Sequence, residues 1–182
     1  MSNYSQILYE VADGIGTITL NRPKARNAQS RILIEEVDSA FERASKDTGV
    51  RVIVLKGAGD NFSGGHDLGS PEELADRELR PIGEGLRGRY TRSWDMNIDP
   101  TLRWRNVPKP TIAAIQGYCI FAGWMVASAC DVIIAADDAL FLPTTVNLTR
   151  PGVVGTVFTT TLTMPATPMG STYFQTVPAG LT

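Results

Sequence analysis

The sequence predicts an α/β domain. Three observations carry this. Apolar residues alternate on both sides of Asp13-Gly14 near the start. Two short, continuously apolar runs, 51–55 and Thr111–Ile115, are each followed by a glycine. Helically spaced apolar residues lie between and after them. Strands that alternate with helices in this way place a ligand near the carboxyl ends of the strands.

The elements follow in order. Ile7, Tyr9, Val11 and then Ile15, Ile18, Leu20 around Asp13-Gly14 predict two antiparallel strands joined by a tight turn. Ser30 caps a helix in which Leu33, Val37, Ala40, Phe41 and Ala44 recur every three or four residues, with Glu35, Glu36, Glu42 and Arg43 outward. Residues 51–55, closed by Gly57, have the profile of a strand buried on both faces of a parallel sheet. Thr111–Ile115 repeats that profile before Gln116-Gly117. Residues 122–129 read as a tightly packed helix of small residues, and 131–135 as a further strand. Between the two strand units, 71–105 is polar and charged, with Trp94, Leu102 and Trp104 as apolar anchors. It is expected to be a surface excursion that covers a site.

Composition narrows the partners. The 182 residues hold 17 Lys+Arg against 19 Asp+Glu, a net charge of -2, and 43% are apolar. One soluble globular domain is expected, without the basic excess that nucleic acid or an anionic membrane would need, so the ligand is expected to be small. Cys119 and Cys130 are too few to staple a fold or hold a metal alone, which fits a reducing cytosol. Residues 1–6 are polar and show no secretory signal, and the charge-free stretch 151–182 is broken by Pro165, Pro168 and Pro178. A cytoplasmic chain without a membrane span is expected.

The chain changes character near residue 147. Residues 147–182 keep only Arg150 of the 36 charged side chains and are rich in Thr, Pro and Gly. Two readings stand: a β-rich tail, or a coding sequence truncated or shifted in frame near Val146.

The chemical signal lies in two loops after strands. The first, 61–68 (NFSGGHDL), has adjacent glycines that let the backbone turn sharply and leave peptide N–H groups free for a ligand. In the second, 116–124 (QGYCIFAGW), small Ala122 and Gly123 open a helix, where free N–H groups and the positive dipole end coincide. Two such N–H groups aimed at one point make an oxyanion hole for a thioester carbonyl that becomes an enolate or tetrahedral oxyanion. Each donor is worth roughly 3 kcal/mol of transition-state stabilisation. Taken singly, either loop reads first as a plain turn.

Taken in order, these segments resemble the enoyl-CoA hydratase/isomerase (crotonase) superfamily. Residues 16–23 (GTITLNRP) with Arg26, Asn27 and Ala28 look like its opening strand and coenzyme A contact. Residues 62–68 (FSGGHDL) are similar to its first oxyanion loop and 108–117 (PKPTIAAIQG) to the segment before its second. Cys130-Asp131 with 135–141 (AADDALF) resembles the strand and turn that follow. The likeness covers residue 7 to about 146. It divides the chain into an acyl-CoA-binding core, 1–146, and an atypical tail, 147–182, with the family's C-terminal helical region absent; this favours the truncation reading.

The resemblance implies a spiral of β-β-α repeats, an acyl-CoA thioester as ligand, coenzyme A as part of the substrate rather than a separate cofactor, and a homo-trimer or a pair of trimers. It puts the thioester oxygen on the backbone N–H groups of His66 and Ala122, with the His66 imidazole read as a surface loop group. It implies that Lys24 and Arg26 approach the coenzyme phosphates, and that Ala28, Gly65, Asp67, Leu68, Gly123 and Trp124 contact substrate. Trp124 and Met125 would line an apolar acyl pocket suited to a hydrophobic or aromatic group. The family's two hydratase glutamates fall on Met125 and Thr145, neither of which is a carboxylate base, so hydration by the usual route is unsupported. Asp67, Asp95, Asp99 and Asp131 are the remaining candidate acids. Asp67 is read as a turn cap, Asp131 as ordering a strand start, and Asp95 and Asp99 as exposed charges. Two functions stay open: a crotonase-type acyl-CoA lyase, isomerase or hydrolase, and an inactive acyl-CoA-binding or assembly protein.

Overall fold

A computed structural model describes residues 4–142. Thr145 and the tail 147–182 lie outside the described residues.

The hairpin forms as expected. β1 (Ile7–Ala12) and β2 (Ile15–Leu20) pair antiparallel with Tyr9 opposite Ile18. Asp13 and Gly14 both take positive φ, 52° and 82°, the left-handed turn whose twist suits a two-residue hairpin. α1 (Arg31–Lys46) starts at Ser30, whose Oγ accepts from the Leu33 N–H at 3.1 Å, and it buries Leu33, Ile34, Val37, Ala40, Phe41 and Ala44.

Five further strands follow: β3 (Val52–Gly57), β4 (Thr111–Ile115), β5 (Tyr118–Ile120), β6 (Val132–Ala135) and β7 (Leu140–Leu142). The large sheet has the order β1-β2-β3-β4-β6 and is parallel from β2 onward; β5 and β7 pair parallel in a second, smaller sheet. β3 departs from expectation. Ile53, Leu55 and Gly57 are buried while Val52, Val54 and Lys56 are half-buried, so one face is sealed and the other only partly covered. A continuous apolar run serves such a strand as well as a doubly buried one.

The second layer makes the molecule a spiral. Gln29 bridges His66, Ser63 bridges Cys119, and Cys119 pairs with Phe141, so short extended segments stack beside the large sheet. Each turn therefore runs from a large-sheet strand through one of these segments to a helix: β2 to α1, β3 to the excursion, and β4 through β5 to α5 (Ala122–Ser128). β6 and β7 begin the next.

The excursion contains α2 (Pro71–Leu79), α3 (Gly85–Ser93), a wider turn over Trp94–Ile98, and α4 (Asp99–Arg105). It is less superficial than its composition suggests. Glu73, Asp76 and Trp104 are buried. Trp104 stacks on Phe41 with ring centroids 5.3 Å apart and donates its indole N–H to Asp38 Oδ1 at 2.8 Å. Arg77 and Arg92 pair with the buried Glu73, and Arg31 and Arg80 with the buried Asp76. Among the described residues no helix is long and apolar enough to cross a membrane.

Candidate active site

The loop after β3 is held from below by the loop after β2. Asn27 is fully buried. Its Oδ1 accepts from the Arg22 N–H at 2.8 Å, and its Nδ2 donates to the carbonyls of Ala58 at 2.9 Å and Asn61 at 2.7 Å. Gly64 N–H donates to Arg26 O, Gln29 N–H to the carbonyl of buried Gly65, and Asp67 N–H to Gln29 O. Gln29 thus takes the groups on either side of His66. In a parallel bridge the residue between such groups turns its own N–H and C=O to the opposite edge. The His66 N–H consequently faces the side on which β5 lies. No described residue accepts it.

Asp67 locks the far side of this loop. Its Oδ2 accepts from Arg22 Nη1 at 2.7 Å and Ser70 Oγ at 2.6 Å, and its Oδ1 from the N–H groups of Ser70 at 2.8 Å and Gly69 at 3.1 Å. Burial alone would raise its pKa; the bonds from Ser70, Arg22 and Gly69 outweigh it and hold the carboxyl at about 2. It is a permanent anion at neutral pH and caps the turn, as expected.

The second loop needs Gly117. Its φ is 53°, and a Cβ there would lie 2.1 Å from Asp60 O. β5 then runs along the first loop: Ser63 N–H donates to Tyr118 O at 2.8 Å and Ile120 N–H to Ser63 O at 3.0 Å. Phe121, at φ 38° and ψ -93°, is a strained non-glycine that turns the chain into α5. The helix start sits directly on the first loop, since a Cβ on Gly123 would be 2.9 Å from Ser63 Cβ. Ala122 and Gly123 are buried. Met125 N–H bonds Phe121 O, while the N–H groups of Ala122 and Gly123 have no acceptor among the described residues.

The His66 imidazole differs from its expected role as a surface group. It is half-buried, its Nε2 lies 3.1 Å from Asn97 Oδ1, and its ring sits 5.3 Å from that of Phe121. Asn97 and Met96 border one small gap with Gln29, Ala122 and Met125. His66, Ala122 and Met125 are therefore brought together, and the excursion does lie over them. Asn97, Met96 and Phe121 went unrecognised in the sequence, where nothing marks a neighbour 31 residues from His66.

Other expected positions are more dispersed. Lys24 is exposed, Arg26 is exposed with its guanidinium 5.9 Å from the Tyr118 ring centre, and Leu68 is 72% exposed. Ala28 O accepts from Arg22 Nη1. Trp124 packs edge-on against Phe141, centroids 5.2 Å apart, on the core side of α5. Asp131 Oδ2 accepts from the N–H and hydroxyl of Thr111, ordering the start of β4 from its neighbour β6, while Asp95 is exposed and Asp99 pairs with Arg103. Among the described residues no group of three His, Cys, Asp or Glu side chains could hold a metal.

The sequence profile of enoyl-CoA hydratase/isomerase matches residues 10–165. The chain belongs to the enoyl-CoA hydratase/isomerase family. It is 40% identical over 151 residues to the Mycobacterium tuberculosis protein EchA13, named as an enoyl-CoA hydratase, covering 76% of this chain and 48% of that one. The crystal structure of an enoyl-CoA hydratase/isomerase from Xanthobacter autotrophicus Py2 is similar at TM-score 0.66 and 39% identity, over 76% of this chain and 49% of that one. An enoyl-CoA hydratase from Mycobacterium smegmatis gives TM-score 0.65 at 31% identity, over 76% and 49%. The chain spans about half the length of the curated relatives it matches. These family neighbours share the mixed α/β crotonase fold described above.

Proposed function

We propose that this family member acts on an acyl-CoA thioester and holds the thioester oxygen between the peptide N–H groups of His66 and Ala122 while negative charge builds on it. One observation carries the reading: both N–H groups lack an acceptor among the described residues, on two loops bonded to each other through Ser63. Fixed donors in a site partly closed to water stabilise a developing oxyanion without having to reorient, and each is worth roughly 3 kcal/mol. Met125 supplies no carboxylate. The reaction proposed is therefore one that relies on the enolate itself, such as isomerisation, thioester hydrolysis or carbon-carbon cleavage, with acid and base groups outside the family's two glutamate positions. Lys24 and Arg26, exposed on the loop after β2, suit the phosphates of a coenzyme A that arrives as part of the substrate. A trimer or pair of trimers and a cytoplasmic location go with this proposal.

The test removes one N–H at a time. Replacing the amide of residue 122, or of residue 66, by an ester through α-hydroxy-acid incorporation keeps every side chain. Turnover of crotonyl-CoA and of branched and aromatic enoyl-CoA thioesters is then measured. Each ester is expected to lower kcat about 100-fold. Unchanged kcat in both esters would exclude the proposed hole, and thioester binding with no turnover by the parent protein would favour the inactive binding protein instead.

A further inference from the structure

Two contacts fix the plane of the His66 imidazole, the single histidine side chain of the chain. Its Nε2 meets Asn97 Oδ1 at 3.1 Å, and the Phe121 ring lies tilted across it with centroids 5.3 Å apart. Phe121 reaches this place from a backbone at φ 38°, a left-handed conformation that is strained for a non-glycine residue and persists only where the surroundings hold it. Asn97 borders the gap at Ala122 and Met125, and Phe121 directly precedes Ala122. The imidazole therefore stands beside the start of α5 as well as on its own loop.

The amide oxygen of Asn97 only accepts, so the proton of a neutral ring sits on Nε2 and Nδ1 keeps its lone pair. Nδ1 is at the end of the ring nearest the residue's own peptide. It has no partner among the described residues and is not sealed from solvent. A free base thus lies next to the N–H that points toward β5. The carboxylates considered from the sequence are engaged elsewhere or turned outward. Asp67 is bound by Arg22, Ser70 and Gly69, Asp99 pairs with Arg103, Asp131 accepts from Thr111, and Asp95 is exposed. Met125 has no ionisable group at all.

We infer that the His66 imidazole is the catalytic acid and base of this protein, with Nδ1 carrying the proton and Asn97 and Phe121 as positioning residues. This rests on the thioester reading above. Nδ1 takes a proton from the carbon next to the thioester carbonyl, and the electron pair of that C–H bond passes into the enolate. The imidazolium then returns the proton to the γ carbon of a 3-enoyl group, so the double bond moves into conjugation and no other reactant is consumed. The test measures exchange of the α-protons of butyryl-CoA in heavy water, isomerisation of 3-hexenoyl-CoA, and calorimetric binding of butyryl-CoA. It is run on the parent protein, His66→Gln and Asn97→Leu. His66→Gln keeps the peptide N–H, so it is expected to bind butyryl-CoA within about threefold of the parent and to lose about 100-fold or more in the rate of both reactions. Asn97→Leu no longer holds the tautomer and is expected to lose about tenfold in kcat with KM unchanged. Because the chain has one histidine, NMR of the ring nitrogens in the parent protein reads a single imidazole. A proton on Nε2 of the neutral ring is expected; a proton on Nδ1 overturns the inference, even where a variant fails to fold. Reactions that survive in His66→Gln but fall in the residue-122 ester overturn it too, and leave the oxyanion reading intact. Binding of butyryl-CoA by the parent with neither reaction also overturns it, and absence of binding by every thioester overturns the thioester reading with it.

Discussion

Replacing Asp67 by asparagine puts an amide where Arg22 now meets a carboxylate, with both side chains buried: 3% of Asp67 and 8% of Arg22 is exposed. The carboxyl is held down from 3.8 to about 2, which at about 1.36 kcal/mol per pKa unit is worth roughly 2 kcal/mol of folding stability. The sign follows from the direction. A folded pKa below the unfolded one contributes fully above pH 3.8, and the contribution fades as pH falls toward about 2. Asp67→Asn also turns an N–H toward the Arg22 guanidinium; Glu72, 3.4 Å from Arg22 Nη2, limits that penalty. The variant is therefore expected to lose about 2 to 3 kcal/mol at pH 7 in urea unfolding, with the gap to the parent narrowing as the medium is acidified through pH 4 toward 2. A loss under about 0.5 kcal/mol at pH 7, or a gap that stays constant down to about pH 2.5, would refute the assignment of Asp67 as a buried, hydrogen-bonded anion. Because residues 66 and 67 are adjacent, the same variant is expected to lower kcat/KM for any thioester that turns over.

Three further outcomes follow from the packing. Gly117→Ala combines a left-handed φ with a methyl 2.1 Å from Asp60 O, so it should cost about 3 kcal/mol or more and lower Tm by several degrees in calorimetry. Trp104→Ala removes the stack on Phe41 and the bond to Asp38 and should cost about 3 to 5 kcal/mol in urea unfolding; a smaller loss would mean the excursion is not anchored there. Burial pushes the thiols of Cys119 and Cys130 up to about 12, so neither should react with a thiol reagent at pH 8 in the folded protein, and both should react in denaturant.

What could be read from the residues was local. The Asp13-Gly14 hairpin, the Ser30-capped helix with its buried stripe, and the two glycine-bearing loops each announce themselves within a dozen positions. Their turn chemistry and apolar period operate over that distance. The turn cap at Asp67 and the strand start at Asp131 were legible for the same reason. The excursion misled because charge is a good sign of exposure only when the charge is unpaired, and Glu73 and Asp76 are answered by arginines on α1, α2 and α3 and at the end of α2.

The sequence by itself determined the hairpin, α1, β3, β4, α5 and β6 with their order, the two loops and the family. The tertiary structure alone decided that the His66 ring meets Asn97, that its peptide N–H turns away from Gln29, and that Arg92 pairs with the buried Glu73. The reason is physical. These contacts join segments 19 to 59 residues apart through single bridges and single hydrogen bonds, and such contacts leave no periodic trace in the chain.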